Sequence, residues 1–347
     1  MKTIIACIIT DTHLKDENIE TNKSVYQQTI DFCKKNGLDK IYHLSDIFNS
    51  RKAQTQQVLV DGFTEILDNL HNHGIQLITF PGNHDKTDYS STKSFLHPFQ
   101  HHPAFTLIDD YFNFPLAENI VCHFLPFFSD EEYQQRLVQI ASAYTPTENV
   151  ADILFTHIGI TGARMNNGTE VVSISQSSFG LFDKVYIGHY HDKQIFGDGK
   201  FNYVGSTIQH NYGETPDKGL TVLYDDLTWE TIELDFPRFL NIEIDISKLT
   251  PQDIQDLKDE KAKSDDNLRV ILCGPEEQVK SFNKHIFLES GISVEQKVDK
   301  LQKQEIEERV EPFTSVTLLE EFEKFTEKQN LSKSSSLKGL DYLKQVI

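Results

Sequence analysis

The stretch Phe80-Pro81-Gly82-Asn83-His84-Asp85 decides how this chain reads. An apolar run, Ile75 to Phe80, stops at Pro-Gly, a pair that bends the backbone, and an amide, an imidazole and a carboxylate follow in succession. This is the pattern of a strand delivering polar groups to the carboxyl edge of a sheet, where open α/β proteins bind their ligands. Four other stretches repeat it. Ile4 to Ile9 precedes Asp11 and His13, Ile41 to Leu44 precedes Asp46, Ile153 to Phe155 precedes His157, and Val185 to Ile187 precedes His189 and His191. Five strand ends are therefore expected to supply one site.

Outward from these runs, the first 74 residues read strand, helix, strand, helix. Val25, Tyr26, Thr29, Phe32 and Cys33 fall at helical spacing ahead of Gly37, and Leu59, Phe63, Ile66, Leu67 and Leu70 do the same ahead of Gly74. Strands separated by helices imply βαβ units and a largely parallel sheet. Residues 98–128 read as mixed and looped, with Ile120 to Leu125 a strand, and Asp130 to Ala143 reads as a helix. After Ala151, shorter apolar runs divided by Gly, Asp and Asn predict strands of a second, more antiparallel sheet. A boundary near Pro237-Arg238 closes a first domain, 1–238. Residues 239–299 then read as a small strand-helix-strand-helix-strand unit, with one helix from Glu276 to about Glu289. Residues 300–347 read as a helical tail, in which Leu318, Leu319, Phe322 and Phe325 form an apolar stripe ahead of a serine hinge, 332–336. Apolar stripes beside a flexible run suit docking onto a partner.

The chain has 347 residues, 38% of them hydrophobic and 25% charged, an ordinary globular composition. No apolar run approaches the roughly 18–20 residues that cross a bilayer, and Ile4 to Ile9 is too short for a secretory signal, so a cytoplasmic protein with no membrane partner is expected. Cys7, Cys33, Cys122 and Cys273 lie far apart and form no metal or redox pair motif. A net charge of −20 counts against autonomous high-affinity binding to nucleic acid. It is compatible with a phosphate-containing substrate, because a site for divalent cations is itself acidic and the cations contact the phosphate.

Asp, His and Asn donors at about 2.0–2.2 Å suit divalent transition metals, and a mixed His/carboxylate set favours manganese, iron or zinc over calcium. Each short motif alone is ordinary loop chemistry in a chain with 14 histidines. Their coincidence discriminates: D-x-H, a strand-end Asp, GNHD, a strand-end His and GHYH occur in this order, each straight after an apolar run.

In that order the motifs resemble the calcineurin-like metallophosphoesterases over Ile4 to Leu223. GNHD, SDIFNSRKA after the second strand, and YVGSTIQHNYGETPDKG after GHYH look like the DNA-repair nuclease branch, which includes bacterial SbcD and the recombination endonuclease subunit of tailed phages. The resemblance implies an α/β fold, a two-sheet α/β/β/α metallophosphoesterase sandwich with a small α+β capping domain at 239–299 and a C-terminal helical tail. It implies one metal held by Asp11, His13 and His191, a second held by Asn83, His157 and His189, and Asp46 bridging them. The two divalent ions are expected to be Mn2+, with Mg2+, Fe2+ or Zn2+ as alternatives. They would clamp a phosphodiester for in-line attack by an activated water, with His84 close to the metals but not bound, stabilising charge or protonating the leaving oxygen. The implied partners are DNA and an SMC-like ATPase subunit of the SbcC type, docked on the tail, and a homodimer is among the implied assemblies.

Two departures stand out. Ser45 replaces the family glycine, and Asn49 replaces the family aspartate that pairs with the catalytic histidine. Asn49 would orient His84 without adding charge, which predicts a less protonated His84 near neutral pH. Asp85 is expected to cap its own turn; Arg51, Lys52, Lys86, Lys93 and Arg164 are expected to be solvated charges, with contact to phosphates as the alternative, and the remaining histidines, His210 among them, to be surface or core polar groups. The expected activity is metal-dependent DNA exonuclease and endonuclease hydrolysis in repair and recombination. Two alternatives are a phosphatase or cyclic-nucleotide phosphodiesterase on a small substrate, and a catalytically weak scaffold for the ATPase.

Overall fold

The computed structural model describes residues 2–165 and 168–298, with residue 322. The expected tail, 300–347, lies outside the described residues apart from Phe322. The compact unit Met1–Lys297 is built on two six-stranded mixed sheets.

Its logic is visible in the first strand, β1 (Ile4–Ile9). Ala6 and Ile8 enter one apolar layer and Cys7 and Ile9 another, and all four are buried. A strand apolar on both faces has to be covered on both. β1 pairs in parallel with β2 (Lys40–His43), which pairs in parallel with β3 (Gln76–Thr79) and that with β4 (Phe105–Leu107). The outer layer on this sheet comes from α1 (Ile19–Lys35) and α2 (Glu65–Asn72), through Val25, Tyr26, Ile30, Ile66, Leu67 and Leu70. Gly37 and Gly74 follow these helices at φ 69°, the left-handed turn that ends a helix at low cost only for glycine. A π-helical segment, Val58–Thr64, leads into α2.

The second sheet runs β5 (Phe112–Ala117), β6 (Ile120–Leu125), β7 (Ala151–Thr156), β8 (Lys184–Ile187), β10 (Phe201–Tyr203) and, at the edge, β9 (Gln194–Phe196). Its outer face packs on α3 (Asp130–Ala143) through Tyr133, Leu137 and Ile140. Between the sheets lie Ala6, Ile8, Tyr42, Ile78 and Leu223 from one and Cys122, Phe124, Ile153, Phe155 and Tyr186 from the other. The order of layers is thus α/β/β/α, the expected sandwich.

The expectation of a more antiparallel second sheet after Ala151 is corrected. Strands β6, β7, β8 and β10 are mutually parallel and only the edges β5 and β9 run antiparallel. The next two strands, β11 (Gly219–Tyr224) and β12 (Trp229–Glu233), return to the first sheet, where β11 lies antiparallel to β1. Their apolar alternation is the same in either sheet, so local pattern does not specify which one they join.

Residues 239–298 form a third sheet with its own apolar cluster. Strands β13 (Phe239–Asp245) and β14 (Asn267–Gly274) are parallel and joined through α4 (Pro251–Lys261), and β15 (Ser293–Val298) completes the sheet. Leu268, Val270, Leu272, Phe287 and Ile292 are its buried core. The helix expected from Glu276 to about Glu289 is two short ones, α5 (Glu276–Ser281) and α6 (His285–Leu288). Phe282 takes an extended conformation between them, and the Asn283 side chain accepts from His285 N at 3.2 Å, which starts the second helix. No helix among the described residues is long and apolar enough to cross a membrane.

The inter-sheet layer is dominated by aromatic contacts. Phe124, fully buried, stacks on Phe114 at 5.2 Å and meets Phe155 edge-on at 5.5 Å. Phe124→Ala is expected to cost about 3–5 kcal/mol, read as a lowered urea midpoint at unchanged m-value. A loss below about 1 kcal/mol would mean that this layer is not close-packed.

Candidate metal centre

All five strand ends bring their polar residues to one place. Among the described residues, eight non-glycine residues have positive φ, and five of them are Asp11, His13, Ser45, Asp46 and His189, at 42–90°. Such conformations cost on the order of 1–3 kcal/mol each and persist only where the surroundings impose them. Backbone bonds impose them here: Asp11 N donates to Ser45 O at 3.0 Å, His13 N to Asp46 O at 3.1 Å and Leu14 N to Ile47 O at 2.7 Å. The β1 and β2 ends therefore stay paired beyond the sheet. Ser45 sits at φ 77°, and its hydroxyl donates to Phe80 O at 2.5 Å, which offsets part of the strain that a glycine would avoid.

The FPGNHD turn is pressed against this pair of loops. A Cβ on Gly82 would lie 2.1 Å from Asp46 Oδ1, so the approach requires glycine. The Asp85 carboxylate accepts from Gly82 N and from Phe48 N, each at 3.0 Å. It caps its own turn, as expected, and also ties that turn to the Asp46 loop. Burial and the nearby Asp46 carboxylate push Asp85 up to about 7.

Two groups of donors result. In the first, His191 Nδ1–H donates to Glu214 Oε1 at 2.8 Å, leaving its Nε2 lone pair 3.1 Å from His13 Nε2. Asp11 Oδ1 lies 3.8 Å from His13 Nε2 and 3.9 Å from His191 Nε2. In the second, His157 Nδ1–H donates to Leu44 O at 2.8 Å, so its Nε2 faces Asp46 Oδ2 and Asn83 Oδ1, both at 3.1 Å. His189 Nδ1 lies 2.9 Å from the same Asn83 oxygen. Asp46 stands between the groups, with Oδ2 also 3.9 Å from His13 Nε2. All seven predicted ligands are thus brought together.

The chemistry of the donor set fits divalent cations. His157 Nε2, Asp46 Oδ2 and Asn83 Oδ1 are three acceptors facing one another, and only a cation can sit among them favourably. Burial disfavours charge on His157, but Asp46 and Asp11 outweigh it and lift the imidazole to about 9, so the cluster recruits a proton as its smallest cation. Burial and neighbouring His157 drive His189 down to about 3, keeping its lone pair free for a metal. Among the described residues, His, Asp and Glu donor atoms close enough to share an ion occur in three overlapping groups, all in this cluster.

His84 is beside the donors, its ring 4.6 Å from that of His13. Its Nδ1–H donates to the main-chain carbonyl of Asn49 at 2.6 Å. The orienting group at position 49 is therefore backbone, and the expected role of the Asn49 side chain is replaced by one that any residue there supplies. Three further residues also belong to the site: Arg51 and His210, expected to be solvated or core polar groups, and Glu214, which carried no expectation. Arg51 Nη2 donates to His84 Nε2 at 2.9 Å, and His210 Nε2 donates to Asp11 O at 2.6 Å. Glu214, buried, accepts from His191 and from His210 N at 3.0 Å. His210 and Glu214 lie in the GSTIQHNYGE loop, which follows β10 directly, so its position after the apolar run Phe201 to Val204 was the available signal. A cleft of about 160 Å³ opens onto His13, Asp46, Asn83, His84, His189, His191, His210, Asn49 and Arg51.

Glu214→Gln is expected to weaken binding of Mn2+ to chelator-treated protein by about 10–100-fold, measured by calorimetric titration. Unaltered affinity would show that Glu214 does not tune His191.

The calcineurin-like phosphoesterase family model matches residues 6–193, more than half of the chain. Among solved structures, a dimetal phosphatase from Danio rerio is similar at 11% identity and TM-score 0.39, covering 64% of this chain and 93% of its own. A novel archaeal phosphodiesterase matches at 13% identity and TM-score 0.35, covering 67% and 100%. The nuclease MPE of Pseudomonas putida matches at 11% and 0.26, covering 57% and 66%. Likenesses at this level carry nothing about what the chain acts on. The family match spans the strand ends that carry the seven converging donors, and the chain belongs to the calcineurin-like phosphoesterases, metal-dependent hydrolases of phosphoester bonds.

Proposed function

We propose that the chain is a metal-dependent phosphodiesterase acting on DNA, the nuclease subunit of an assembly with an SMC-like ATPase in repair and recombination, with Mn2+ as its native metal. The observation that carries the hydrolytic part is the convergence of Asp11, His13, Asp46, Asn83, His157, His189 and His191 on two adjoining groups separated by one carboxylate. When bound, two divalent ions would clamp the phosphoester and lower the pKa of a water. Asp11, His13 and His191 would hold one ion and Asn83, His157 and His189 the other, with Asp46 shared.

The protein's own groups do the rest. Glu214 and the Leu44 carbonyl hold His191 and His157 in the tautomers that offer Nε2 to the cleft. The Asn49 carbonyl holds the His84 proton on Nδ1, so Nε2 is the nitrogen left to a substrate, and it would have to take up a second proton before giving one to a leaving oxygen. DNA, rather than a small ester, is favoured by the loop 205–218. It carries His210 and Glu214 at the metal groups and continues to the third sheet, where Gln209 exchanges two hydrogen bonds with Phe239 and Arg269 stacks on Tyr212 at 3.9 Å. A capping unit coupled to the site in this way suits a long polymer that has to be positioned.

Purified protein given Mn2+ or Mg2+ is expected to cleave single-stranded or double-stranded DNA and bis-p-nitrophenyl phosphate in preference to p-nitrophenyl phosphate, with loss on chelation and recovery on adding Mn2+. Preference for the monoester would favour a phosphatase, and no turnover with metal bound would favour the scaffold. His84→Asn is expected to lower kcat by about 10²–10⁴-fold at unchanged metal content. A change in metal content would instead make His84 a ligand.

A further inference from the structure

Arg51 stands exposed at the mouth of the metal cleft. In a chain with 53 acidic and 33 basic residues, Lys23, Arg136, Lys218 and Arg269 form ion pairs with carboxylates. Among the described residues Arg51 forms none, and its guanidinium is spent on an imidazole nitrogen, His84 Nε2, at 2.9 Å.

That contact has a chemical consequence. A carbonyl only accepts and a guanidinium only donates, so His84, held by Asn49 O on one side and Arg51 on the other, carries its proton on Nδ1 and a bare lone pair on Nε2. While Arg51 stays, Nε2 is covered and cannot meet a substrate atom. A group that draws the guanidinium away must be anionic, and phosphate oxygens match its planar fork two at a time.

We infer that Arg51 is a phosphate-binding positioning residue, which leaves His84 Nε2 for a non-bridging oxygen of the substrate and so anchors the phosphate and uncovers His84 in one movement. This rests on the phosphoesterase reading of the cleft and adds to it an anion contact supplied by the chain itself.

The test uses the full chain loaded with Mn2+. Orthophosphate binding, measured by calorimetry, is expected to weaken about ten- to a hundredfold in Arg51→Ala and to recover in part in Arg51→Lys, with Mn2+ content unchanged in both. With a single-stranded oligonucleotide as substrate, the slope of log(kcat/KM) against log salt is expected to flatten by about 0.7 in Arg51→Ala. Equal orthophosphate affinity in wild type and Arg51→Ala overturns the proposal. Orthophosphate binding that depends on Arg51 in a protein that cleaves no DNA supports it, and removes only the DNA reading.

Discussion

The constraint on which this structure turns is electrostatic. Within one small volume the fold faces carboxylate oxygens, an amide oxygen and imidazole lone pairs toward one another at 2.9–3.9 Å, with Asp11, Asp46 and His157 fully or almost fully buried. Acceptors so placed repel unless something positive lies among them, and burial makes the repulsion stronger than it would be in water. The direction of the His157 shift expresses the same need, since two carboxylates outweigh the burial that would otherwise keep it neutral. A cluster like this is uneconomical as architecture and intelligible as a cation site.

Holding it demands rigidity, and the fold supplies it by layering. Two sheets with aromatic side chains between them and helices outside leave the strand ends little freedom, so left-handed backbone at Asp11, His13, Ser45, Asp46 and His189 can be sustained. Glycine appears where backbone must touch backbone. A Cβ on Gly188 would lie 2.4 Å from Thr10 Oγ1 and 2.5 Å from Leu44 O, so the turn that presents His189 can lie directly on the β1 and β2 ends. The Asp11 carboxylate then accepts from His189 N at 3.1 Å, joining residues 178 positions apart.

Around this centre the loop 205–218 acts as a strut between two regions. Glu214 and His210 brace the metal groups at one end, and Gln209 and Tyr212 grip the third sheet at the other, where Asn241 Nδ2 also donates to Tyr212 O at 2.7 Å. Lys218, buried, donates to the His191 carbonyl and to Asp192 Oδ1 at 3.0 Å, and so locks the base of the loop to the GHYH turn. Arg51, by contrast, spends its guanidinium on an imidazole nitrogen of the site rather than on a carboxylate.

The sequence by itself determined the strands that lead into the site and the residues delivered at their ends. Strand period and helix period are local properties, and a βαβ chain places every strand terminus of one direction at the same edge, so local pattern alone gathers Asp11, His13, Asp46, Asn83, His157, His189 and His191. Only the tertiary structure decided that β11 and β12 rejoin the first sheet, that the second sheet is parallel at its centre, that Asn49 acts through its carbonyl, that Arg51 and His210 face the cleft, and that Glu214 stands behind His191. The reason is one of range. Period and turn signals report on neighbours within a few residues, whereas these contacts join positions set together by how the two sheets pack, and a loop side chain carries no periodic mark of the surface it will meet.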